Sequence, residues 1–281
     1  MKQILKRLIG QTFPRLKAYS RIRHGFTDRH GRQPNLLFPT TFSEKVQRRK
    51  LLDRDPRLPR LADKIAAKDY VADKLGKDWI IPTLWSGTQL PEQPAWPIPF
   101  VVKASHGSGM NAFVRRPDEL DWPKIRALSA QWLANRTYGS WGGEWLYSQI
   151  PPRLLVEPFM GDLSTLPLDY KLWVFAGRLA FIQVDVDRET GHKRTMFDAD
   201  WNEMPFTTGW PKADRPLARP ASLPTMIAAA ETLGADFPFV RVDLYEIEGS
   251  PKFGELTFYP DSGWARFDPP HWDTEIGKLW R

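Results

Sequence analysis

Residues 239–258, "FVRVDLYEIEGSPKFGELTF", decide which fold this sequence predicts. They predict a β-hairpin, because two runs of alternating apolar and polar residues flank a glycine-containing turn. Each strand then has one apolar and one polar face. If Leu244 pairs with Leu256, the apolar faces coincide and so do the polar ones. The polar face then carries Arg241, Asp243, Glu255 and Thr257.

Two carboxylates on this face predict a cation site. Asp243 and Glu255 repel each other unless one is protonated or a cation lies between them, and hard oxygen ligands suit Mg²⁺. The alternative is a solvated sheet face on which Arg241 neutralises both acids.

A glycine-containing loop joins two strand-like runs in "PFVVKASHGSGMNAFVRRP", residues 99–117. Residues 107–112 fit the dinucleotide fingerprint G-x-G-x-x-A, but that motif requires a following helix, and here a strand follows. The P-loop pattern also fails, because no Gly-Lys-Ser/Thr is present. Strand, loop and strand predict a flap whose backbone N–H groups cover phosphates, with Lys103 as a point charge. The alternative is a plain hairpin with Lys103 in water.

A second lysine, Lys64, lies near the start of "LADKIAAKDYVADKLG", residues 61–76, which we predict to be one helix that ends at Gly76. The helix dipole disfavours a cation at that end unless an anion lies nearby, and a bound phosphate would be such an anion. The alternative is that the helix begins near Leu58 and leaves Lys64 exposed.

The remaining chain alternates helical and strand-like segments, which predicts an α+β fold. We expect helices over 118–136 and 222–234, the second with Ser222 as its cap. We expect a short buried strand over 153–159 and an antiparallel meander over 169–201.

The composition limits the protein class. The 281 residues include no cysteine, so disulfides and thiolate metal sites are excluded and any metal is held by oxygen or imidazole. No apolar run approaches the ~18 residues that span a bilayer. No apolar N-terminal stretch precedes a cleavage site, so export by the usual signal is not expected.

The net charge of +7 is concentrated at the N-terminus. The basic residues that precede the first acid, Asp28, are interleaved with apolar ones, so this segment could bind an anionic membrane surface, nucleic acid or an acidic polymer. The alternative is a solvated helix packed on its own domain. The basic residues are Lys2, Lys6, Arg7, Arg15, Lys17, Arg21 and Arg23.

The order of several short motifs resembles the TupA-like ATP-grasp proteins of teichuronopeptide and surface-polysaccharide biosynthesis. The segments that carry the resemblance are "FSEKVQRRK", "ADKIAAKDYV", "PFVVKASHGSGMN", "LLVEPFMG", "DYKLWVFAGR", "RVDLY" and "GELTFYPDSG". Each motif is weak alone, and their combination and order are specific.

The resemblance implies an ATP-grasp fold, in which two α+β subdomains clasp ATP. We expect a short basic helical region over 1–60, a subdomain with the flap over 61–157, and a subdomain with an antiparallel sheet and the metal-binding hairpin over 158–281. The implied location is the cytoplasm, at the inner face of the membrane if residues 1–24 make peripheral membrane contact. Nucleic acid is not an expected partner.

The resemblance also implies roles for individual residues. Glu157 would lie at the hinge near adenine and ribose, and the flap would close over the phosphates of ATP. Thr257 stands where many ATP-grasp enzymes have asparagine, which leaves its contact with Mg²⁺, or Mn²⁺ in its place, open. The implied cofactor-binding residues are Lys64, Lys103, Ser105, His106, Gly107, Ser108, Gly109, Met110, Asn111 and Glu157; the metal ligands are Asp243, Glu255 and Thr257; the catalytic residues are Arg241 and Lys171.

Such enzymes activate a carboxylate as an acylphosphate, which an amine or another nucleophile attacks. The expected partners are therefore small-molecule or polymer carboxylates and amines, with phosphate transfer to a hydroxyl as a variant. One rival is a nucleotide-sugar glycosyltransferase, because Asp185 and Asp187 form a D-x-D pair that Asp198 and Asp200 repeat. The other is a non-catalytic protein that binds an acidic polymer or a membrane surface.

Overall fold

The computed structural model describes residues 14–281, so the predictions for residues 1–13 lie outside the described chain. The described helices are α1 (Pro14–His30), α2 (Phe42–Leu52), α3 (Arg57–Ala62), α4 (Ala66–Leu75), α5 (Trp122–Ala134), α6 (Leu223–Gly234) and α7 (His271–Leu279). The strands are β1 (Trp85–Gly87), β2 (Phe100–Ala104), β3 (Asn111–Val114), β4 (Leu154–Pro158), β5 (Asp169–Phe175), β6 (Arg178–Val186), β7 (Lys193–Phe197), β8 (Thr207–Thr208), β9 (Val240–Ile247), β10 (Ser250–Thr257) and β11 (Phe267–Asp268).

Two antiparallel sheets form the framework, which confirms the α+β expectation. The smaller has the order β1-β4-β2-β3 and the larger has the order β10-β9-β5-β6-β7, while β8 and β11 pair separately. The predicted strand over 153–159 and the predicted meander are confirmed as β4 and as β5 to β7. The two strands that flank the glycine loop are β2 and β3, which pair with Lys103 opposite Asn111.

Alternation along β2 and β4 separates a core face from a polar face in the smaller sheet. Phe100, Val102 and Val156 are fully buried, and they belong to one apolar cluster with Trp122 and Ile125 of α5. Successive side chains of a strand point to opposite faces. Lys103 and Glu157 therefore lie on the face away from α5.

The larger sheet is apolar on one face, and its other face has an aromatic part and a charged part. Leu172, Val174 and Val242 are fully buried in the cluster that also includes residues of α6. On the opposite face, Trp173 lies against Phe42 of α2, with ring centroids 4.9 Å apart. The same face of β5 continues into charged residues, so this half of the face requires polar partners.

The hairpin of β9 and β10 keeps the predicted polar face but not the predicted pairing. Leu244 lies opposite Phe253, and Leu256 lies opposite Val242, so the Leu244–Leu256 pairing was wrong. The turn has two residues, Glu248 and Gly249, both with positive φ. The register shifts at a bulge between Phe253 and Glu255, and this extra residue restores the common polar face.

The predicted helix over 61–76 is interrupted, which was not expected. α3 ends at Ala62 and α4 begins at Ala66. The Asp63 carboxylate accepts a hydrogen bond from the Ile65 N–H at 2.9 Å, and such a contact competes with the helix. Lys64 lies in the turn between the helices, and its N–H donates to the Ser105 carbonyl at 3.2 Å. Lys64 is therefore neither at a helix start nor inside one.

Two further expectations concern helices. α6 begins directly after Ser222, as predicted, but the Ser222 hydroxyl makes no capping hydrogen bond. From residue 14 onward the basic N-terminal segment is packed on the protein, since Ile22 and Phe26 of α1 are fully buried. Within residues 14–281, no helix combines the length and apolar character of a membrane span.

The close approach of α7 to the start of α2 gives a stability prediction. A Cβ on Gly277 would lie 2.3 Å from the Thr40 carbonyl oxygen and 2.8 Å from the Phe42 nitrogen. Gly277→Ala should therefore lower the free energy of unfolding by about 1–3 kcal/mol, because backbone must move. Urea denaturation measures this. Gly191→Ala is the control, since that Cβ meets nothing within 4 Å; equal stability of the two variants would contradict the prediction.

Candidate active site

A cavity of about 380 Å³ lies between the two sheets. Side chains from β2, β3 and β4 form one wall, and side chains from β5, β6, β9 and β10 form the other. Of the predicted site residues, the cavity is lined by Lys64, Lys103, Ser108, Gly109, Asn111, Glu157, Lys171, Arg241, Asp243 and Glu255.

The flap divides into an anchored part and a part that faces the cavity. Ser105 and His106 are buried, and His106 Nε2 lies 3.0 Å from the Trp132 carbonyl oxygen of α5. Met110 belongs to the apolar core of the smaller sheet. Ser108 and Gly109 are exposed and line the cavity. Ser105, His106 and Met110 therefore fix the flap, although the sequence assigned all seven flap residues alike to ATP.

Glu157 holds two lysines on the polar face of the smaller sheet. Its Oε2 accepts a hydrogen bond from Lys103 Nζ at 2.6 Å, and its Oε1 contacts Lys68 Nζ. The Glu157 side chain is only 6% exposed. Burial opposes its ionisation, but Lys103 and Lys68 together lower its pKa below the ordinary value. The sequence analysis missed Lys68, although on the predicted continuous helix over 61–76 it would lie one turn after Lys64 and on the same face.

Asp243 is the centre of a buried ion cluster on the larger sheet. Arg241 Nε donates to Asp243 Oδ1 at 2.7 Å, and Lys171 Nζ donates to Asp243 Oδ2 at 2.7 Å. Lys171 Nζ also lies 2.5 Å from Asp169 Oδ2. Burial raises the pKa of Asp243, and Arg241 and Lys171 act in the opposite direction. The two predicted catalytic residues therefore both contact one predicted metal ligand.

Glu255 lies directly opposite Asp243 in the hairpin. Its Oε2 accepts a hydrogen bond from Lys64 Nζ at 2.6 Å, a contact between residues 191 positions apart. Burial opposes ionisation of Glu255, but Lys64 and Lys171 lower its pKa. Thr257 donates its hydroxyl hydrogen to Glu255 Oε1 at 3.2 Å and accepts from Arg241 Nη2 at 3.1 Å. Thr257 therefore links Arg241, which binds Asp243, to Glu255, which binds Lys64.

The donor set suits a hard cation that shares its ligands with phosphates. Asp243 and Glu255 offer only oxygen, and Mg²⁺ is usually held by one or two carboxylates plus substrate phosphates and water. No group of three or more His, Cys, Asp or Glu residues in the described chain is placed to hold a metal alone. The residues therefore fit a metal that enters together with a nucleotide.

Several charged residues that line the same cavity were missed. Arg194 Nε lies 2.7 Å from Asp185 Oδ1, and Arg194 Nη1 lies 2.9 Å from Asp261 Oδ2. Arg188 Nη1 lies 3.2 Å from Asp169 Oδ2. For Asp169 and Asp185 the sequence signal was the polar residue at every second position of β5 and β6, whereas Arg188, Arg194 and Asp261 lie outside these two strands. These side chains make the wall beside the metal candidates strongly charged.

The D-x-D pair lacks the geometry of a nucleotide-sugar site. Asp185 is buried and paired with Arg194, whereas Asp187 follows β6 at a positive φ and is bound by Arg215 at 2.8 Å and 3.0 Å. The two acids therefore do not share one strand face. Asp198 accepts hydrogen bonds from the N–H groups of Asp200 and Asn202, as a turn-forming residue does.

The chain matches one protein-family profile and resembles several solved structures. A protein-family profile described as TupA-like ATPgrasp matches residues 44–281. The chain is 15% identical to D-alanine–D-alanine ligase from Bacillus anthracis, with a TM-score of 0.41 over 71% of this chain and 57% of that one. It is 13% identical to L-amino acid ligase from Bacillus licheniformis, with a TM-score of 0.46 over 82% of this chain and 50% of that one.

A third structure, of ATP-grasp ligase PsnB complexed with minimal precursor, Mg and ADP, is 12% identical, with a TM-score of 0.40 over 77% of this chain and 57% of that one. No curated protein matches the chain significantly. The chain thus spans about half the length of the structures that it matches. Because the family profile covers most of the described residues, the chain belongs to the TupA-like ATP-grasp family and has the ATP-grasp fold.

Proposed function

We propose that this protein is an ATP- and Mg²⁺-dependent ligase that activates a carboxylate as an acylphosphate and joins it to an amine. The observation that carries the proposal is the paired cluster of Asp243 and Glu255. These acids lie opposite each other on β9 and β10, and Lys171, Arg241 and Lys64 contact them within one cavity. Family membership supports the same reaction type.

In this proposal ATP lies in the cavity between the sheets. Its phosphates take the place of the carboxylates that now bind Lys103 and Lys64, so that both lysines become phosphate contacts. Glu157 then faces the adenosine end, and the N–H groups of the flap cover the phosphates. Asp243 and Glu255 would hold Mg²⁺, which when bound would neutralise charge at the transferred phosphoryl group.

The chain's own residues then act by positioning and by charge. Arg241 is buried and points at the Asp243 and Glu255 surface, where it stabilises the anionic oxygens of the phosphoryl group and of the acylphosphate. Lys171, held between Asp169 and Asp243, supplies a second fixed positive charge. The flap excludes water, which would otherwise hydrolyse the acylphosphate.

The wider setting is also a proposal. We assign residues 61–157 and 158–281 to the two clasping subdomains, and residues 1–60 to a basic region that precedes them. We place the protein in the cytoplasm, in cell-surface polysaccharide biosynthesis, with residues 1–24 as the segment that would contact an anionic membrane. The family match over residues 44–281 supports the clasping subdomains of this proposal.

The test is a screen for ADP release. The purified chain is incubated with Mg²⁺ and ATP, together with amino acids or uronic acids as carboxylates and amino acids or amino sugars as amines. We expect ADP and phosphate only when a suitable acid and the metal are both present, with Mn²⁺ as a partial substitute. Protection from heat by sugar nucleotides but not by ATP would instead favour a glycosyltransferase.

A further inference from the structure

A second cavity of about 290 Å³ adjoins the first. The two share Lys64, Ser108, Arg241, Glu255 and Asp261 as lining residues. The other walls of the second cavity come from the segment between α5 and β4 and from the turn after β10. These walls include Tyr138, Glu144, Tyr147, Tyr259 and Ser262. The second cavity therefore borders Glu255, a candidate metal ligand, on a side different from that of the first cavity.

Glu144 is a buried carboxylate that forms no ion pair within the described part of the chain. Its side chain lines the second cavity, its residue is 9% exposed, and no Lys, Arg or His nitrogen of residues 14–281 lies within 4.0 Å of its oxygens. Lys50 is nearby, but Lys50 Nζ donates to the Ser262 carbonyl at 2.6 Å and to the Ser262 hydroxyl at 2.8 Å. Burial lowers the pKa of Lys50 to about 7 and raises that of Glu144. The Lys50 charge and a hydrogen bond with the Ser262 side chain offset part of this burial. A cation that enters the cavity would stabilise the Glu144 carboxylate further.

Two further features suit a cationic ligand with hydrogen-bonding groups. Tyr259 is 3% exposed and lines the cavity, yet its hydroxyl has no hydrogen-bond partner in the described chain. Tyr138 and Tyr147 meet edge to face, with ring centroids 4.9 Å apart, and offer aromatic surface beside Glu144. Aromatic faces attract ammonium groups.

The flap contributes to both cavities. Gly107 lines the second cavity, and a Cβ at this position would lie 3.2 Å from the Tyr138 ring. Ser108 lines both cavities. Closure of the flap over nucleotide phosphates would therefore also change the wall of the second cavity.

We propose that the second cavity binds the amine nucleophile, and that Glu144 is the residue that binds its ammonium group and removes a proton from it. This inference rests on the proposed function. An acid substrate would be repelled by Glu144, and it suits the Arg241 side of the shared wall instead. The lining residues that the second cavity does not share, which include Glu144 and Tyr259, therefore suit a primary amine.

The reaction step balances as follows. The Glu144 carboxylate takes one proton from R–NH₃⁺, and the nitrogen lone pair of R–NH₂ attacks the acylphosphate carbonyl carbon. The C–N bond forms. The bond between the carbonyl carbon and the oxygen that bridges to phosphorus breaks, and phosphate leaves with the electron pair of that bond. The second proton on the nitrogen goes to the departing phosphate. The products are an amide and inorganic phosphate.

The experiment compares Glu144→Gln with the wild-type chain, using the acid that gives the greatest ADP release. Hydroxylamine traps the acylphosphate as a hydroxamate, and because hydroxylamine is neutral at pH 7.5 it needs no ammonium site. We expect both proteins to form hydroxamate equally. Amide formation from a pool of amino acids, glucosamine and galactosamine should fall at least ~10²-fold in Glu144→Gln. Glu275→Gln, an exposed change on α7, is the control and should leave both products unchanged.

The outcomes separate the two proposals. If amide formation survives in Glu144→Gln, or if hydroxamate and amide fall together, the amine site is wrong while the ligase function stands. If the wild type forms neither hydroxamate nor ADP with any acid, the ligase function fails as well. Tyr259→Phe removes only an unpartnered hydroxyl, so it should fold normally. It should raise KM for the amine without affecting hydroxamate formation, and an unchanged KM would count against the site.

Discussion

Asp243→Asn is expected to lower the rate of ATP turnover by about 10³-fold. The carboxylate is 1% exposed and contacts both Arg241 and Lys171. Asparagine keeps the shape but removes a charge, so the metal loses a ligand and the two cations lose their common anion. Lys171 keeps Asp169 as a partner, so the chain should still fold. The measurement is kcat for ADP release with saturating Mg²⁺, beside a thermal melt that confirms the fold.

Asp187→Asn is the matched control for that variant. Asp187 follows β6 in the same sheet but does not line the cavity between the sheets, and its partner is Arg215. We expect its turnover to equal that of the wild type. A folded Asp243→Asn protein with turnover within tenfold of the wild type would contradict the metal assignment. Loss of activity in Asp187→Asn alone would return support to the glycosyltransferase alternative.

Lys103→Met is expected to weaken ATP binding by about 10²-fold, which corresponds to the loss of one charged contact to phosphate. Lys103 lies on β2 at the start of the flap and points into the cavity, where its present partner is Glu157. The affinity should fall because the phosphates lose a fixed positive charge. Isothermal titration with a non-hydrolysable ATP analogue and Mg²⁺ measures the dissociation constant.

Lys68→Met is the control that distinguishes two roles of Lys103: direct binding of phosphate and stabilisation of the Glu157 carboxylate. Lys68 contacts the other oxygen of Glu157 but does not line the cavity, because its Nζ also donates to the Ile81 carbonyl and the Thr83 hydroxyl. Both variants remove one cation from Glu157, and Lys68→Met also removes hydrogen bonds to Ile81 and Thr83, so Lys68→Met should lose at least as much stability as Lys103→Met. Only Lys103→Met should lose most of the ATP affinity. Equal losses of affinity would mean that Lys103 acts through Glu157 and not on phosphate.

The alternation of residue types predicted much of the fold and part of the site. In "VRVDLYEI" and "KFGELTF" the polar residues recur every second position, so Arg241, Asp243, Glu255 and Thr257 were expected on one face, and they lie there. The pairing itself was wrong because the turn has only two residues, Glu248 and Gly249, and this short turn sets Leu244 opposite Phe253. The bulge at Gly254 then brings the polar faces back together. A Cβ on Gly254 would lie 3.0 Å from the Asp243 carbonyl oxygen, so glycine permits this close approach. A bulge depends on the partner strand, which alternation along one strand does not report.

Contacts between distant segments escaped the sequence analysis. The interruption between α3 and α4 involves long-range contacts beside the local Asp63–Ile65 bond: Asp63 binds Arg153 at 2.8 Å, 90 positions away, and the Lys64 N–H donates to the Ser105 carbonyl. The pairing of Lys64 with Glu255 joins residues 191 positions apart. Nothing local marks Asp63 or Lys64 as different from other charged residues in a helical pattern. The helix was therefore extended through a point at which two other segments of the chain set the backbone.

By itself, the sequence determined the elements whose signal lies within a few residues: the strands around the glycine flap, the meander and the polar face of the last hairpin. Period-two alternation and turn residues are local properties, so they can be read along the chain. Tertiary structure alone decided which charges meet. Glu157 receives two lysines, Asp185 binds Arg194, and Glu144, beside the second cavity, forms no ion pair with any residue from 14 to 281. The physical reason is that the strength of an ion pair depends on distance and burial, and both are set only when the two sheets pack around the cavity.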